Sequence, residues 1–294
     1  MHELGKSNVV EYFASARERY EIYLKKEICK SPKPWTEDPV FLSWRFCNVF
    51  REDDKVTSWI RENVRKPYLS DPNVFICMVI CRLFNKISTL SCLKSNGLFK
   101  KWNSMIAKTV LKGVKPVVGA AYVVRSPDGM SKLDGILKMI DLIAKDTYHL
   151  CVRIEPGETT LESVWLELCK YPCIGRFIAY EIISDLRWTS FLDQAPDIMT
   201  WANAGPGACR GLSWLVNNDY SAVPYSASTA VQTKIIDTLR TLLEYSQNTD
   251  FWPKKFPKWE MRDVEHWLCE YAKYARVKHL GERMKRKYDG ITKD

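Results

Sequence analysis

No run of eighteen apolar residues occurs in this chain, so no membrane-spanning helix is expected. The N-terminus, Met1-His2-Glu3-Leu4-Gly5-Lys6, carries no apolar signal segment. Neither a Cys-x-x-Cys pair nor a zinc-like Cys/His cluster is visible, and His266 alone makes no metal site. A GxxxxGK[ST] loop is missing, as is a GxGxxG after a strand, which argues against a nucleotide-hydrolysing or dinucleotide-binding domain. Internal repeats and low-complexity segments are also absent. Ten cysteines without a secretion signal point to free thiols in a reducing cytoplasm.

What is present suits a large helical core. The 294 residues are 46% hydrophobic, enough for one large domain or two small ones. Eleven Trp and fourteen Tyr supply flat surfaces for a core or for stacking bases. A net charge of +9 favours a polyanionic partner. Helices are expected over 9–28, 72–93, 98–111, 132–150, 231–245 and 260–276. In 72–93, Cys77 and Cys81 read as buried packing residues. Residues 30–39 and 247–258 read as linkers. Pro116 to Val124 is strand-like in composition but short, so it reads as an extended segment.

The stretch from Thr159 to Leu186 reads as two helices joined by a tight turn. Thr159 with Glu162 forms a capping box, and Leu161, Val164, Trp165 and Leu168 recur on one face. Pro172 stops the first helix and Gly175 supplies a permissive backbone. Ile178, Ile182 and Ile183 face inward on the second helix. Tyr171-Pro172-Cys173-Ile174-Gly175 resembles the helix-hairpin-helix turn of endonuclease III-like DNA glycosylases, Leu-Pro-Gly-hydrophobic-Gly, with Cys173 in place of the first Gly. The resemblance implies that Pro172, Ile174, Gly175 and Arg176 hold a DNA phosphate on helix N-terminal amides, whose unpaired donors and dipole attract anions. An ordinary helical packing unit accounts for the stretch equally well.

Three further stretches carry polar groups. Phe41 to Ile60 starts apolar and then packs Arg51, Glu52, Asp53, Asp54 and Lys55 together, either as a solvated connection or as a polar site entered from a core helix by Arg45, Asn48 and Arg51. Arg51, Asp54 and Lys55 share a face only if one helix runs through. Asn203 to Leu212, NAGPGACRGL, reads as a loop, since three glycines and a proline disfavour mid-helix, with Arg210 free to grip a phosphate. Glu260 to Lys273 puts Arg262, Glu265 and Cys269 on one helical face and Trp267, Leu268 and Tyr271 on another.

FCNVFREDDKVTSWI, APDIMTWANAGPGACRGL and MRDVEHWLCEYAKYAR together resemble the phage alpha-glutamyl/putrescinyl-thymine pyrophosphorylases, or amino acid:DNA transferases, from Phe41 to Arg276. That resemblance implies an all-α, glycosylase-like helix-hairpin-helix fold. It would form a single unit in two lobes over 1–294, with a basic tail over 277–294. It implies replacement of the pyrophosphate of pyrophosphomethyl-uracil in duplex DNA by the amine of an amino acid or polyamine, in the cytoplasm of an infected bacterium. A related helical domain is fused to the DNA kinase of such pathways. The glycosylase likeness also implies a catalytic Asp downstream of the hairpin. Of Asp193 and Asp197 the latter fits better, because Pro196 and the helix-like IMTWA flank it, although a plain helix cap explains it too. Phe177 stands where lyase members carry a Lys, so Schiff-base chemistry there is not expected.

Amine transfer requires a base and a cationic cradle. Asp197 or Glu265 could take the amine proton. Arg51, Lys55, Arg210 and Arg262, with Asp54 and Asn203, could bind the pyrophosphate end. Cys209 or Cys269 adding to the pyrimidine ring is a further route. No cofactor is required; a divalent or monovalent cation on the pyrophosphate is compatible but not indicated by spacing. A base-excision glycosylase and a non-catalytic DNA-binding module remain the alternatives.

Overall fold

The computed structural model describes residues 2–69 and 71–284. Among them the fold is all-α, with twelve α-helices and no strand. The basic residues Lys285, Arg286 and Lys287 lie outside the described residues. The chain divides into two compact units, one built from residues up to 54 and from 199 onward, the other from 55–198.

The first unit contains α1 (Lys6–Tyr23), α2 (Pro39–Ser43), α10 (Pro206–Asn217), α11 (Thr229–Tyr245) and α12 (Met261–Leu280). Its centre is aromatic. Tyr12 and Phe13 of α1 meet edge to face at 4.9 Å, and Trp259 packs within 6.0 Å of both. Two buried polar tips bridge α1 and α12: Tyr12 donates to the Val264 carbonyl (3.2 Å), and Trp267 Nε1 donates to the Tyr12 carbonyl (3.2 Å). These bonds fix α12 in register against α1, because an unpaired buried donor would cost roughly 1–3 kcal/mol.

Only Asn203, Ala204 and Gly205 of the segment NAGPGACRGL are irregular, and the rest is helical, not a loop. Pro206 opens α10 at a position where no backbone N–H is required, and the helix runs on through Gly207, Arg210 and Gly211. The glycines are tolerated because they are contacts. A Cβ on Gly211 would sit 2.2 Å from the Leu268 carbonyl oxygen, and one on Gly207 would sit 2.9 Å from Cys269 Sγ. Close approach to α12 therefore outweighs the weak helix propensity of glycine.

The second unit contains α3 (Lys55–Ile60), α4 (Val74–Phe84), α5 (Ile87–Ser95), α6 (Ser104–Leu111), α7 (Lys132–Cys151), α8 (Leu161–Cys169) and α9 (Arg176–Leu186). The single apolar helix expected over 72–93 is two helices, since Asn85 adopts a left-handed φ of 42° and turns the chain. Every residue of α4 is buried, Cys77 and Cys81 included. Arg82 is tolerated there because it meets Asp185 of α9 through two guanidinium nitrogens, one of them at 2.7 Å, and donates to Thr57 (3.1 Å) and Asn85 (3.2 Å). Arg65 adds a longer contact to Asp185 at 3.4 Å. The segment 116–124 is irregular, not a strand.

Helices α8 and α9 form the expected pair, with Ile178, Ile182 and Ile183 buried. The cap falls one residue later than Thr159: Thr160 Oγ1 accepts from Ser163 N (3.0 Å). In the turn, Cys173 has φ 61°, Ile174 is buried, and Gly175 is the N-cap of α9.

Candidate functional site

Polar groups concentrate in the first unit on one side of α12. The helix begins with a reciprocal cap in which Glu260 N donates to Asp263 (2.9 Å) and the Glu260 side chain accepts from the Asp263 amide. That start projects Arg262, Glu265, His266, Cys269 and Glu270 from successive turns. Arg262 and Arg51 are both buried, as are Asp263, Glu270 and Asn203. Two buried arginines among carboxylates are an arrangement that only paired charge can sustain.

Glu265 is the most perturbed of the expected site residues. It accepts from Gly205 N at the entrance of α10 (3.5 Å) and from Cys269 Sγ (3.6 Å), and it feels the charges of Arg262 and Arg51. Burial wins over these favourable contacts and pushes its carboxyl up to about 7. Asp263 is likewise pushed to about 7 by burial, although Arg262 Nε stands 4.0 Å away. Burial lowers His266 to about 4, so its imidazole is neutral at physiological pH.

The loop before α3 faces the same groups. The 3₁₀ turn over Arg51–Asp53 ends at Asp54, whose backbone is extended, so Arg51, Asp54 and Lys55 do not share a helical face. Asp54 Oδ1 accepts from Asn48 N (2.9 Å), and burial pushes its carboxyl to about 6. Asn48 is tied down by Arg19, which donates to its Oδ1 (2.5 Å), and by its own amide, which donates to the Asp53 carbonyl (2.7 Å). The Asn48 carbonyl meets His266 Nε2 at 3.1 Å, and Glu270 accepts from Cys47 N (3.1 Å).

The structure thus gathers Arg51, Asp54, Arg262 and Glu265 in one unit, with Asn203 buried just ahead of α10. Arg210 is different: it is exposed on the helix α10, not carried by a loop. Lys55 is exposed at the first position of α3, in the other unit. Asp197 also belongs to the other unit, and no helix follows it at 198–202. Its two carboxylate oxygens accept from Leu161 N (2.7 Å) and Glu162 N (3.0 Å), capping α8 from a distant part of the sequence. Among the hairpin residues, Pro172 and Gly175 are exposed, Ile174 is core, and Arg176 lies over the Trp165 ring at 4.6 Å. Cys209 is pushed by burial to about 11 and Cys269 well above its ordinary value, so both thiols stay protonated.

Sequence reasoning placed Asn48 in a polar site and His266 and Glu270 on the helix of Glu265, but missed Cys47 and gave His266 and Glu270 no role in this cluster. The only signal was the density of polar residues after an aromatic run in FCNVFRED, since a single His and a single Cys have no spacing to read.

The model for the helical domain of 5-hmdU DNA kinases matches residues 7–283, and the chain belongs to that family. It is similar to a 5-hmdU DNA kinase of Bacillus phage SP10, at 26% identity over 301 residues. The match covers 92% of this chain and 45% of the relative, so the chain spans less than half of the relative's length. No solved structure matches the chain.

Proposed function

We propose that this member of the 5-hmdU DNA kinase helical-domain family acts in phage thymine hypermodification, as the transferase that replaces the pyrophosphate of pyrophosphomethyl-uracil in DNA with an amine. The observation that carries the reading is Glu265, a carboxyl pushed to about 7 beside the buried guanidiniums of Arg51 and Arg262. A base poised near neutrality and a cationic cradle are what amine displacement requires. In the step itself, the amine nitrogen bonds to the exocyclic methylene carbon while the carbon–oxygen bond to pyrophosphate breaks. The amine proton passes to Glu265, and the departing pyrophosphate carries the electron pair to Arg51 and Arg262.

Glu265 is the better base of the two considered, because both oxygens of Asp197 already accept backbone amides. The α8–α9 turn supports a DNA-holding role of the helix-hairpin-helix kind. Cys173 takes a positive φ, as a glycine readily would, and Gly175, the exposed N-cap of α9, offers no side-chain cap that would compete with a phosphate for the first amides of the helix. The target base would have to leave the stack to be reached.

A second reading rests on the family itself: the domain serves the kinase reaction, placing 5-hydroxymethyl-uracil for phosphorylation. The chain contains no GxxxxGK[ST] loop, which favours transfer over phosphorylation by this polypeptide. One experiment separates the two. Duplex containing hydroxymethyl-uracil with ATP, and duplex containing pyrophosphomethyl-uracil with a panel of amino acids and polyamines, are each incubated with the protein. Their nucleosides are then analysed by mass spectrometry. An amine adduct in the second arm supports transfer; a phosphorylated nucleoside in the first arm with no adduct in the second overturns it. Abasic sites would point to a glycosylase instead.

A further inference from the structure

Three donors far apart in sequence meet in the first unit. Cys47 Sγ, a carboxylate oxygen of Asp54 and a ring nitrogen of His266 all lie within 4.8 Å of one another. Donors bound to the same zinc in a tetrahedral site stand roughly 3.3 to 3.6 Å apart, from bond lengths of about 2.0 to 2.3 Å. Asp54 Oδ2 and His266 Nε2, at 3.8 Å, are already near that separation, and the widest pair must close by up to about 1.5 Å, a change that rotation of the Cys47 and Asp54 side chains supplies. Cys47 is exposed as a residue, which gives an ion a way in, while burial around its sulfur and the carboxylates of Glu270 and Asp54 hold the thiol well above its ordinary value, so the ion has to displace the proton.

The supports around these donors are those a metal site needs. Asp54 is oriented by the Asn48 amide through Oδ1, which leaves Oδ2 toward His266 at 3.8 Å. His266 Nε2 faces the Asn48 carbonyl at 3.1 Å; with the ring proton moved to Nδ1, that nitrogen is free to bind a metal as a neutral imidazole. The peptide of Cys47 is fastened to Glu270, itself paired with Lys273 at 2.5 Å. Charge agrees as well. A dication bound to one thiolate and one carboxylate is neutral, so Arg51 and Arg262 do not oppose it.

We infer that Cys47, Asp54 and His266 form a zinc site. A sulfur, nitrogen and oxygen donor set suits zinc and does not suit magnesium or calcium, which take oxygen. Binding releases the Cys47 thiol proton to solvent and forms the S–Zn bond. Three protein donors leave a fourth position for water or a phosphate oxygen, the pattern of a catalytic rather than a structural ion. Occupation of that position by pyrophosphate rests on the transfer reading above; the ion itself does not.

The test is cobalt substitution of the full chain after chelator treatment. Added Co²⁺ should give a thiolate-to-cobalt charge-transfer band at one equivalent per chain, and Zn²⁺ should bleach it. Cys47→Ser should abolish the band and weaken binding at least about tenfold. His266→Ala and Asp54→Asn should shift or abolish it, with helix content checked by circular dichroism. Cys29→Ser, at an exposed cysteine outside the site, should leave it unchanged. Absence of the band in the wild-type chain, or its survival in Cys47→Ser, overturns the inference. Should His266→Ala fail to fold, the exposed Cys47 position still decides. Since the readout is spectroscopic, the site can hold metal even if no amine transfer is found, and the two proposals fail separately.

Discussion

Glu265 and Asp197 are both carboxylates held by backbone amides, yet their surroundings give them different work. Asp197 spends both oxygens on the first turn of α8. Glu265 has one weak amide contact and feels the charges of Arg262 and Arg51 in a half-buried setting. Asp263, two residues earlier, allows a prediction about pH. Its carboxyl is raised from 3.8 to about 7, so the folded chain holds a proton there that the unfolded chain has released. The stabilising contribution is complete below about pH 4 and is lost as pH rises toward 7. Asp263→Asn should reduce the fall in unfolding free energy over that window by up to about 1.4 kcal/mol per pH unit. Urea denaturation in EDTA at several pH values measures it; an unchanged slope contradicts the assignment. Asp185 makes a simpler case. It neutralises Arg82 in a fully buried setting, so Asp185→Ala should cost about 3–5 kcal/mol by leaving that charge unpaired. A loss below about 1 kcal/mol in denaturant titration would show that the pair is dispensable.

At the scale of elements, two backbone features separate what the sequence disclosed from what it concealed. The hairpin was legible because Pro172 and Gly175 punctuate it and the apolar residues on both sides keep helical spacing. Cys173 was legible only as a departure from the resembled motif; its positive φ explains why a glycine belongs there. Cys173→Gly should therefore stabilise the chain by about 0.5–1 kcal/mol, relieving a left-handed residue that carries a Cβ. Thermal unfolding reads this, and a destabilised variant would count against the turn geometry. The α10 segment misled for the opposite reason. Its glycines looked like breakers, because the partner that requires them, Leu268, lies far off in the sequence. Gly211→Ala should destabilise by about 1–3 kcal/mol, since the new Cβ meets backbone. Gly207→Ala should cost less, because Cys269 Sγ can move. Equal effects would mean that the helices do not approach as closely as described. The split of 72–93 at Asn85 was hidden likewise, as uninterrupted apolar sequence fits one buried helix or two.

On the scale of the whole molecule, helical periodicity was enough to read an all-α fold and composition to read a sizeable core, while the aromatics could equally have been read as surfaces for stacking bases. The chemistry was less visible. Arg51, Asp54, Arg262 and Glu265 were found because they sit in polar runs or share a helical face, while Cys47 and His266 acquire meaning only when folding brings them together. The division into two units, one made from both ends of the chain, is a matter of long-range contacts that no local pattern records. A chain of net charge +9 that binds duplex should lose affinity steeply with salt. Neutralising hairpin cation Arg176 should shallow that dependence by about one charge.

The central claim, that Glu265 is the base of an amine transfer, is tested most directly by single-turnover release of pyrophosphate from pyrophosphomethyl-uracil duplex in the presence of an amine. Wild-type protein should release it, Glu265→Gln should slow release by about 10²–10⁴-fold with duplex affinity unchanged, and Asp197→Asn should keep most of the rate. Full activity in Glu265→Gln, or loss confined to Asp197→Asn, would contradict the account.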